Sequence, residues 1–411
     1  MDFEDTKEEA EFRASVRRWL EANASKEVDD AADVLGERGG RDWMKAQRDW
    51  QAKKAEAGYA RITWPKELGG LGGNAIQQVI FNQEESKLGL GGNSPFAIGL
   101  GMCIPTLMAY CAKEVLSRYV KPALYGEEIW CQLFSEPAGG SDVAGLRTRA
   151  ERQGDDWIVN GQKIWTTGAQ FSDYGLLLTR TDANAPKHKG LTMFYLSMKS
   201  SGVDVRPIKQ ASGASGFNEV FFTDVRIPDA QRVGEVGQGW LVALTTLMHE
   251  RLAVGGGQGG GLDVPQLLAL ARELELEDSP AIRNASVRER IADWYVRSAG
   301  LKYTTYRTMT ALSKGQQPGP EASIAKIVVA AKLQDLSAFA MELEGEAGAL
   351  KGEDAPMHGA FQMGWMSAPG LRIAGGTDEI LRNIIAERVL GLPQDVRLDK
   401  DVPFNQLPSG R

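Results

Sequence analysis

Hydrophobic periodicity changes twice along the chain, and these changes limit the folds open to it. Up to about residue 130, as in the segment from Phe12 to Leu20, apolar side chains recur at the three- to four-residue spacing of amphipathic helices. From there to Val236 they alternate in short runs such as NEVFFTDVRI, which indicates antiparallel strands. Helical spacing then returns and continues to Leu390. The sequence therefore predicts an α+β protein of several domains, with helices over residues 1–130, a β domain over 131–236 and a helical bundle over 237–411.

The composition is that of a folded, weakly acidic chain. The 47 Lys and Arg residues are interleaved with 54 Asp and Glu residues, so there is no basic stripe of the kind that nucleic-acid partners require. The three cysteines form no Cys-x-x-Cys pair, and the three histidines, His188, His249 and His358, are scattered. Neither a disulfide framework nor a metal centre is expected.

One uncharged stretch, between Lys87 and Lys113, is long enough to span a bilayer. Gly99, Gly101 and Pro105 interrupt it, which favours a buried helix over a membrane span. The amino-terminal segment MDFEDTKEEAEFR has neither the basic flank nor the apolar centre of a signal peptide. We therefore expect a cytoplasmic protein without a membrane span.

Two local predictions concern a turn and a helix. Asn160-Gly161 separates the runs DWIV and KIW and predicts a β-hairpin at this point. Thr377 can cap a final helix that ends before Gly391. The apolar residues expected on the core-facing side of that helix are Ile380, Leu381, Ile384, Ile385 and Val389.

Three segments could bind a ligand, and each also has a simpler interpretation. The loop CQLFSEPAGGSD, from Cys131 to Asp142, contains backbone N–H groups that could hold a phosphate, or it is a plain linker between domains. Trp165 with its neighbouring threonines could stack on a flat cofactor ring, or it is an ordinary core tryptophan. The run AGGT, which ends at Thr377, precedes a helix whose amino terminus favours an anion, or it is a simple turn.

Together, these segments resemble the flavin-dependent acyl-CoA dehydrogenase family over nearly the whole chain. WPKELGGLGG, LFSEPAGGSD, GQKIWTTGAQFSDY, FNEVFFTDVRIP and the final Gly-Thr helix start stand in the order of that family. The resemblance implies a helical N-terminal domain, a middle β-barrel domain and a C-terminal four-helix bundle. It also implies FAD as the cofactor, an acyl-CoA substrate, an electron-transfer flavoprotein as the acceptor, and assembly into dimers or tetramers.

The resemblance assigns roles to particular positions. The first loop would line the flavin and its pyrophosphate, the Trp165 segment would pack against the isoalloxazine, and the final helix start would meet the cofactor through backbone amides. The cofactor-binding residues implied are Gln132, Leu133, Phe134, Ser135, Gly140, Ser141, Trp165, Thr166, Thr167, Thr377, Asp378 and Glu379. The substrate-binding residues implied are Ser141, Met248, Arg251, Gly375 and Gly376.

The catalytic base is expected on an inner helix. Many family members carry a Glu directly before the Gly-Thr of the last motif, where this chain has Gly375. The chain thus resembles the subgroup that includes the isovaleryl-CoA and long-chain enzymes, whose base lies in a Glu-Arg pair, here Glu250-Arg251. Glu250 would remove the α-proton of the thioester while the N–H of Gly375 stabilises the enolate-like oxygen. Alternatively, Glu250 is a surface carboxylate paired with Arg251 or another neighbour.

Two departures from the family pattern leave other functions open. The chain reads MELEGEAG, with Glu342 and Glu346, where the family commonly has a Gln and a second Gly that close over the adenine. The usual adenine-contacting Arg has no direct counterpart, although Arg283 or Arg288 could replace it. The chain could therefore be a catalytically silent or half-site subunit of a hetero-oligomer. An acyl-CoA oxidase, which passes electrons to oxygen, would share the same fold.

Overall fold

The computed structural model describes residues 5–24, 41–88, 90, 94–255, 262–313, 319–320, 323–396 and 399–408, without the side chains of 41–42, 250–255, 309, 312–313 and 353. The chain forms two compact units. The first comprises residues 11–254 and 395–411, and the second comprises residues 1–10 and 255–394. Each unit has a hydrophobic core of its own.

Helices fill the amino-terminal part of the chain, as its periodicity predicts. They are α1 (Lys7–Asn23), α2 (Arg41–Glu56), α3 (Ala75–Ser86), α4 (Ile104–Tyr110) and α5 (Lys113–Leu124). At the start of α3, the side chains of Asn74 and Gln77 each accept the other residue's N–H, which satisfies two donors that the helix leaves free. The apolar faces of α1 and α3 meet in a core that includes Val16, Leu20 and Phe81.

One buried carboxylate connects α1 to α3. Glu84 accepts hydrogen bonds from Arg13 at 2.8 Å, from Arg17 at 2.7 Å and from Lys87 at 2.8 Å. Burial alone would raise the pKa of Glu84, but the three cationic partners lower it to about 2. The carboxylate is therefore ionised at neutral pH.

The uncharged stretch folds into buried helical structure, as predicted. Gly99–Cys103 form a buried π-helical turn that runs directly into α4. Such turns are rare and occur often at functional sites. No helix within the described ranges combines the length and apolarity that crossing a bilayer requires.

The middle of the chain forms an eight-stranded sheet. Its strands are β1 (Trp130–Leu133), β2 (Arg149–Gln153), β3 (Asp156–Thr167), β4 (Tyr174–Arg180), β5 (Leu191–Ser197), β6 (Val203–Ile208), β7 (Phe217–Pro228) and β8 (Arg232–Val233). The order is β6-β7-β3-β2-β4-β5-β8, and β1 pairs in parallel with β4. Alternate side chains of these strands, with Val159, Leu177 and Phe194 among them, fill one hydrophobic cluster.

The hairpin predicted at Asn160-Gly161 is wrong. β3 continues through both residues, and its register against β7 shifts between Val159 and Gly161, so the Asn-Gly pair marks a β-bulge. Gly161 has a φ of 152°, and a Cβ atom there would lie 2.6 Å from the Cα atom of Thr148. Glycine is required because the neighbouring backbone approaches so closely. The chain turns back earlier, at Gly154, between β2 and β3.

Helices return after the sheet, which confirms the predicted order of helices, β structure and helices. They are α6 (Gly239–Gly255), α7 (Val264–Glu273), α8 (Ala285–Ser313), α9 (Ser323–Glu344), α10 (Ala360–Ile373) and α11 (Asp378–Arg388), and a short ribbon of β9 (Glu275–Leu276) and β10 (Ser279–Pro280) follows α7. Leu267, Trp294, Leu336 and Phe361 lie in the core of the second unit.

The final helix has the predicted cap but only part of the predicted core face. The Thr377 hydroxyl accepts the N–H of Ile380 at 3.2 Å, as an N-cap does. Leu381 is buried, whereas Ile384 and Ile385 are half-buried. The expectation is wrong for Ile380 and Val389, which are exposed because no other element of the described chain covers that side of the helix.

Candidate active site

The first ligand-binding candidate is the loop from Phe134 to Thr148, called here the glycine loop, and one buried carboxylate closes it. Glu136 accepts the N–H of Arg147 at 2.6 Å and the N–H of Thr148 at 2.9 Å. It also accepts a hydrogen bond from the ammonium of Lys163 at 2.8 Å, and this ammonium donates to the Phe134 carbonyl at 3.0 Å. The pair thus connects both ends of the loop to strand β3.

The Glu136–Lys163 pair is an ion pair inside the protein. The side chain of Lys163 is 0% exposed and that of Glu136 is 7% exposed. Burial alone would raise the pKa of Glu136, but the charge and hydrogen bond of Lys163, with those of the loop, lower it below its usual value. Burial lowers the pKa of Lys163, and the charge of Glu136 opposes this shift. Each charge is therefore maintained by the other, so the loop geometry depends on both residues.

The tip of the glycine loop presents backbone donors to solvent. Gly140 and Ser141 are exposed, and a Cβ atom built on Gly140 would meet nothing within 4 Å. Among the hydrogen bonds of the described residues, the N–H groups of Gly140 and Ser141 have no acceptor. Free, adjacent N–H groups in an irregular loop are suited to an anionic group such as a phosphate. Lys187 anchors the outer end of the loop through Asp142 at 3.2 Å.

The second candidate segment lies beside the first. The N–H of Ile164 donates to the carbonyl of Ser135 at 2.9 Å, which places the end of β3 against the glycine loop. Trp165 follows at a β-bulge, with a positive φ of 58° and a side chain that is 56% exposed. A non-glycine residue in this conformation is strained, and such strain is common at ligand sites. The exposed indole meets Phe217 edge-on, with ring centroids 6.2 Å apart, and leaves a face open for stacking.

The two threonines after Trp165 face different environments. Thr166 is buried, and its hydroxyl has no hydrogen-bond partner in the described structure, whereas Thr167 is half-buried. The amide nitrogen of Asn218 donates to the Thr166 carbonyl at 3.0 Å. Of the two side chains, Thr167 is the more accessible to a ligand, and the cofactor contact expected of Thr166 stays a prediction.

The predicted residues on and after β1 also differ in accessibility. Leu133 and Phe134 are buried in hydrophobic clusters, so any cofactor contact they make must use the backbone. Gln132 and Ser135 are half-buried. Phe96, Met102 and Leu107, which lie in and around the uncharged stretch, are likewise buried in the core.

The final candidate segment belongs to the second unit. Gly375 and Gly376 have positive φ values of 61° and 93°, and Lys326 donates to the Gly376 carbonyl. Asp378 is buried and accepts a hydrogen bond from Arg372 at 2.8 Å. Oδ2 of Asp378 thus has a partner within the helices, whereas Oδ1 has none among the described residues, and the expectation that amides rather than carboxylates of this segment meet a ligand stays a prediction. Glu379 is exposed.

Helix α6 carries the predicted catalytic base. Glu250 and Arg251 lie in its last turns, but their side chains fall outside the described part of the structure. Met248 is 58% exposed and shares one face of α6 with Leu241 and Leu244, which are also exposed. An apolar face therefore leads along the helix to the turn that contains Glu250.

The altered run MELEGEAG surrounds a shallow cavity of about 390 Å³ in the second unit. Glu342 lines this cavity with Gly345, Gly348 and Trp365, and Glu346 is exposed nearby. Glu344 is buried, and burial raises the pKa of its carboxyl, which accepts a hydrogen bond from Gln362 at 2.7 Å. The cavity thus has an acidic side chain where the family pattern has an amide.

Sequence reasoning missed the residues that shape these segments. Glu136 and Lys163 lie within the two quoted motifs, and the signal in the sequence was a charged residue inside each motif. Arg283 and Arg288 contact one another, since Arg288 donates to the Arg283 carbonyl at 3.2 Å, and their proposed role toward adenine stays a prediction. Within the described residues, no group of three His, Cys, Asp or Glu side chains is arranged to hold a metal ion.

Comparison with protein-family models gives three consecutive matches. Residues 6–127 match "Acyl-CoA dehydrogenase, N-terminal domain", residues 131–225 match "Acyl-CoA dehydrogenase, middle domain" and residues 237–390 match "Acyl-CoA dehydrogenase, C-terminal domain". Together they span nearly all of the described chain.

Individual proteins agree with these matches. Acyl-CoA dehydrogenase IpdE1 of Mycobacterium tuberculosis is 33% identical over 392 residues, which cover 94% of this chain and 98% of IpdE1. Acyl-CoA dehydrogenase FadE34 of the same organism is 33% identical over 344 residues. This match covers 84% of this chain and 46% of FadE34, so the chain spans about half the length of that relative. A solved structure described as "Tcur3481-Tcur3483 steroid ACAD" has a TM-score of 0.82 and 27% identity, and covers 96% of this chain and 100% of that one.

Proposed function

The chain belongs to the acyl-CoA dehydrogenase family of FAD-dependent oxidoreductases, and we propose that it converts an acyl-CoA to a 2-enoyl-CoA with Glu250 as the catalytic base. The observation that carries the choice of base is Gly375, which offers no side chain at the start of the final motif. The carboxylate must then come from another element. Glu250, in the last turns of α6, is the candidate.

The residues present in the first unit fit FAD. The free N–H groups at Gly140 and Ser141 suit the pyrophosphate, and the open face of Trp165 suits the flat ring. The buried Glu136–Lys163 pair holds the glycine loop in the shape that presents these groups. When bound, the flavin accepts the hydrogen that leaves the β-carbon together with its electron pair.

The chain's own residues would handle the proton. Glu250 removes the proton on the carbon next to the thioester. When bound substrate and the apolar side chains around α6 exclude water, the Glu250 carboxylate becomes a stronger base and can remove this weakly acidic proton. The N–H of Gly375 donates to the thioester oxygen, where negative charge develops. Ser141, Met248, Arg251 and Gly376 are proposed to orient the acyl-CoA. A fixed donor of this kind contributes roughly 10²-fold or more to the rate.

The proposed acceptor is an electron-transfer flavoprotein, and the proposed location is the cytoplasm. We also propose that the chain assembles into dimers or tetramers. Anaerobic turnover that requires the electron-transfer flavoprotein would support this acceptor. Steady formation of hydrogen peroxide in air at the same rate would instead identify an oxidase.

The test of the base is Glu250→Gln, which keeps the size of the side chain and removes its basicity. We expect the variant to retain FAD and to bind acyl-CoA, but to lose at least about 10³-fold in the rate at which substrate bleaches the flavin absorbance. Glu235→Gln, which changes an exposed carboxylate paired with Arg232, is the matched control and should leave the rate unchanged. Bleaching by Glu250→Gln at the wild-type rate would contradict the assignment.

A second candidate function is that of a half-site or silent subunit in a hetero-oligomer. Glu342 in the cavity of the second unit favours it, because a carboxylate repels a phosphate-bearing ligand that an amide would tolerate. The description of the related structure names two proteins, Tcur3481 and Tcur3483. Purified chain that stays colourless when FAD is added, and that acquires flavin only with a second acyl-CoA dehydrogenase chain, would support this alternative.

A further inference from the structure

A half-buried cation in the first unit has a backbone carbonyl as its hydrogen-bond partner. Arg61 stands in the loop before α3, and its Nε donates to the carbonyl of Leu100 at 3.0 Å. Its Nη2 donates to the same oxygen. Leu100 belongs to the π-helical turn Gly99–Cys103. The guanidinium also lies over the ring of Trp64, 5.9 Å from the centroid.

The positive charge of Arg61 is not neutralised by any side chain that the structure describes. Within the described residues, both hydrogen bonds of its side chain go to the Leu100 carbonyl, and no carboxylate contributes to the shift of its pKa. Burial lowers the pKa of Arg61 to about 10, so the group still carries its charge at neutral pH. A buried cation without a counter-ion is costly to the folded protein, and such groups concentrate at functional sites. The guanidinium has five N–H donors, and one carbonyl oxygen cannot satisfy them all.

Two side-chain contacts locate Arg61 relative to the proposed base. The hydroxyl of Tyr110 bonds to that of Thr245 at 2.8 Å, and Thr106 bonds to Thr246 at 3.0 Å, so α4 contacts α6 at these residues. One turn before Thr106 lies the π-helical turn that Arg61 contacts, and one turn beyond Thr246 lies the turn of His249 and Glu250.

The charge of Arg61 affects the pKa of a residue on α6. Burial lowers the pKa of His249, and the positive charge of Arg61 lowers it further. His249 therefore tends to stay neutral and adds no second cation at neutral pH. Arg61 itself is half-buried rather than enclosed, so part of its surface remains accessible beside the buried apolar residues Leu100 and Met102.

We propose that Arg61 binds a carboxylate on the acyl part of the substrate, at the end distant from the thioester. This inference rests on the proposed function, because it takes the substrate to lie along α6 with its α-carbon at Glu250. A carboxylate matches the guanidinium in charge and accepts two parallel hydrogen bonds from it. The apolar residues around the π-helical turn contact the hydrocarbon between the two ends. The substrate class is then an acyl-CoA with a second, free carboxyl group.

The experiment compares two substrates of equal chain length, adipoyl-CoA with a terminal carboxylate and hexanoyl-CoA without one. Wild-type holoenzyme should show the higher kcat/KM with adipoyl-CoA. Arg61→Gln removes the charge but keeps an N–H donor for the Leu100 carbonyl. It should lower kcat/KM about 10²-fold for adipoyl-CoA, as expected from losing two charge-assisted hydrogen bonds, and less than about threefold for hexanoyl-CoA.

Two further variants separate recognition from folding. Arg61→Lys restores the charge and should recover part of the preference for adipoyl-CoA. Arg48→Met is the matched control, since Arg48 also donates to backbone carbonyls, those of Gly126 and Glu127, and its loss should not alter the ratio between the substrates. Calorimetric binding of both acyl-CoAs to wild type and Arg61→Gln reports the same preference without turnover.

Each outcome has a definite meaning. Equal losses for the two substrates in Arg61→Gln would overturn the proposal and indicate that Arg61 acts on the base or on the fold. Absence of any wild-type preference for adipoyl-CoA, in turnover and in binding, would also overturn it. Failure of the wild-type flavin to bleach with either substrate would count against the proposed function, whereas an Arg61-dependent preference in the binding data would still support the carboxylate site.

Discussion

Lys163→Met tests whether one buried ion pair determines the shape of the glycine loop. Methionine nearly fills the space of the lysine stem, so the variant removes the ammonium without opening a large cavity. Glu136 would keep its two backbone donors, at 2.6 Å and 2.9 Å, but would lose its hydrogen-bonded cation and keep only the more distant charge of Arg180. The Phe134 carbonyl would lose a donor at 3.0 Å.

The expected magnitude follows from burial. Breaking a fully buried pair by removing one partner costs about 3–5 kcal/mol, because the remaining charge is left uncompensated. Lys163 is 0% exposed and Glu136 is 7% exposed, so solvent screens this pair very little. About 3–5 kcal/mol corresponds to roughly 10² to 5 × 10³-fold in an opening equilibrium. Glu136→Gln should cost a similar amount, and the double variant should cost much less than the sum.

Hydrogen exchange of the Thr148 and Ile164 amides is the assay, because both amides bond directly to the glycine loop or to Glu136. Their protection should fall by the stated factor in Lys163→Met, and FAD should bind more weakly. Lys199→Met, which breaks the exposed pair with Asp173, is the control and should leave both amides protected. Additive effects of the two single variants, within about 0.5 kcal/mol, would refute the coupling.

Three further predictions follow from individual residues. Trp165→Ala should raise the dissociation constant of FAD about tenfold by removing a stacking face, while the unfolding midpoint changes little because the indole is 56% exposed; an unchanged FAD titration would contradict this. Gly161→Ala should destabilise the sheet by about 2 kcal/mol or more, because its Cβ would lie 2.6 Å from the Thr148 backbone. Gly154→Ala, where nothing lies within 4 Å, should cost only about 1 kcal/mol. Denaturant unfolding measures both values. The pKa of the Glu84 carboxyl is lowered from 4.5 to about 2, so the carboxylate stabilises the fold above pH 4.5 and this contribution is lost as the pH falls toward 2. The free energy of unfolding of Glu84→Gln should therefore depend less on pH over that interval than that of wild type. Equal slopes would argue against the ion-pair network.

Helices and strands were predicted correctly where they depend on nearby residues, and incorrectly where they depend on distant ones. The helical amino-terminal part, the β region and the cap at Thr377 were predictable because each depends on spacing or on neighbours within four residues. The Asn160-Gly161 hairpin failed because a bulge and a turn use the same residue types, and only the pairing of β3 with β7 distinguishes them. Ile380 and Val389 have the right spacing for a core face, but burial also requires a neighbouring element.

In the candidate site, too, local features were predictable from the sequence and long-range contacts were not. The glycine loop, the Trp165 segment and the final Gly-Thr helix start were recognisable as short runs of the sequence, because backbone donors and turn residues are local properties. The sequence by itself therefore determined the order of the domains, the family and the cofactor class. Only the tertiary structure decided that Glu136 and Lys163 meet, although they stand 27 residues apart. It alone placed Arg61 beside the turn of His249, since burial and the resulting electrostatics arise from contacts between distant parts of the chain.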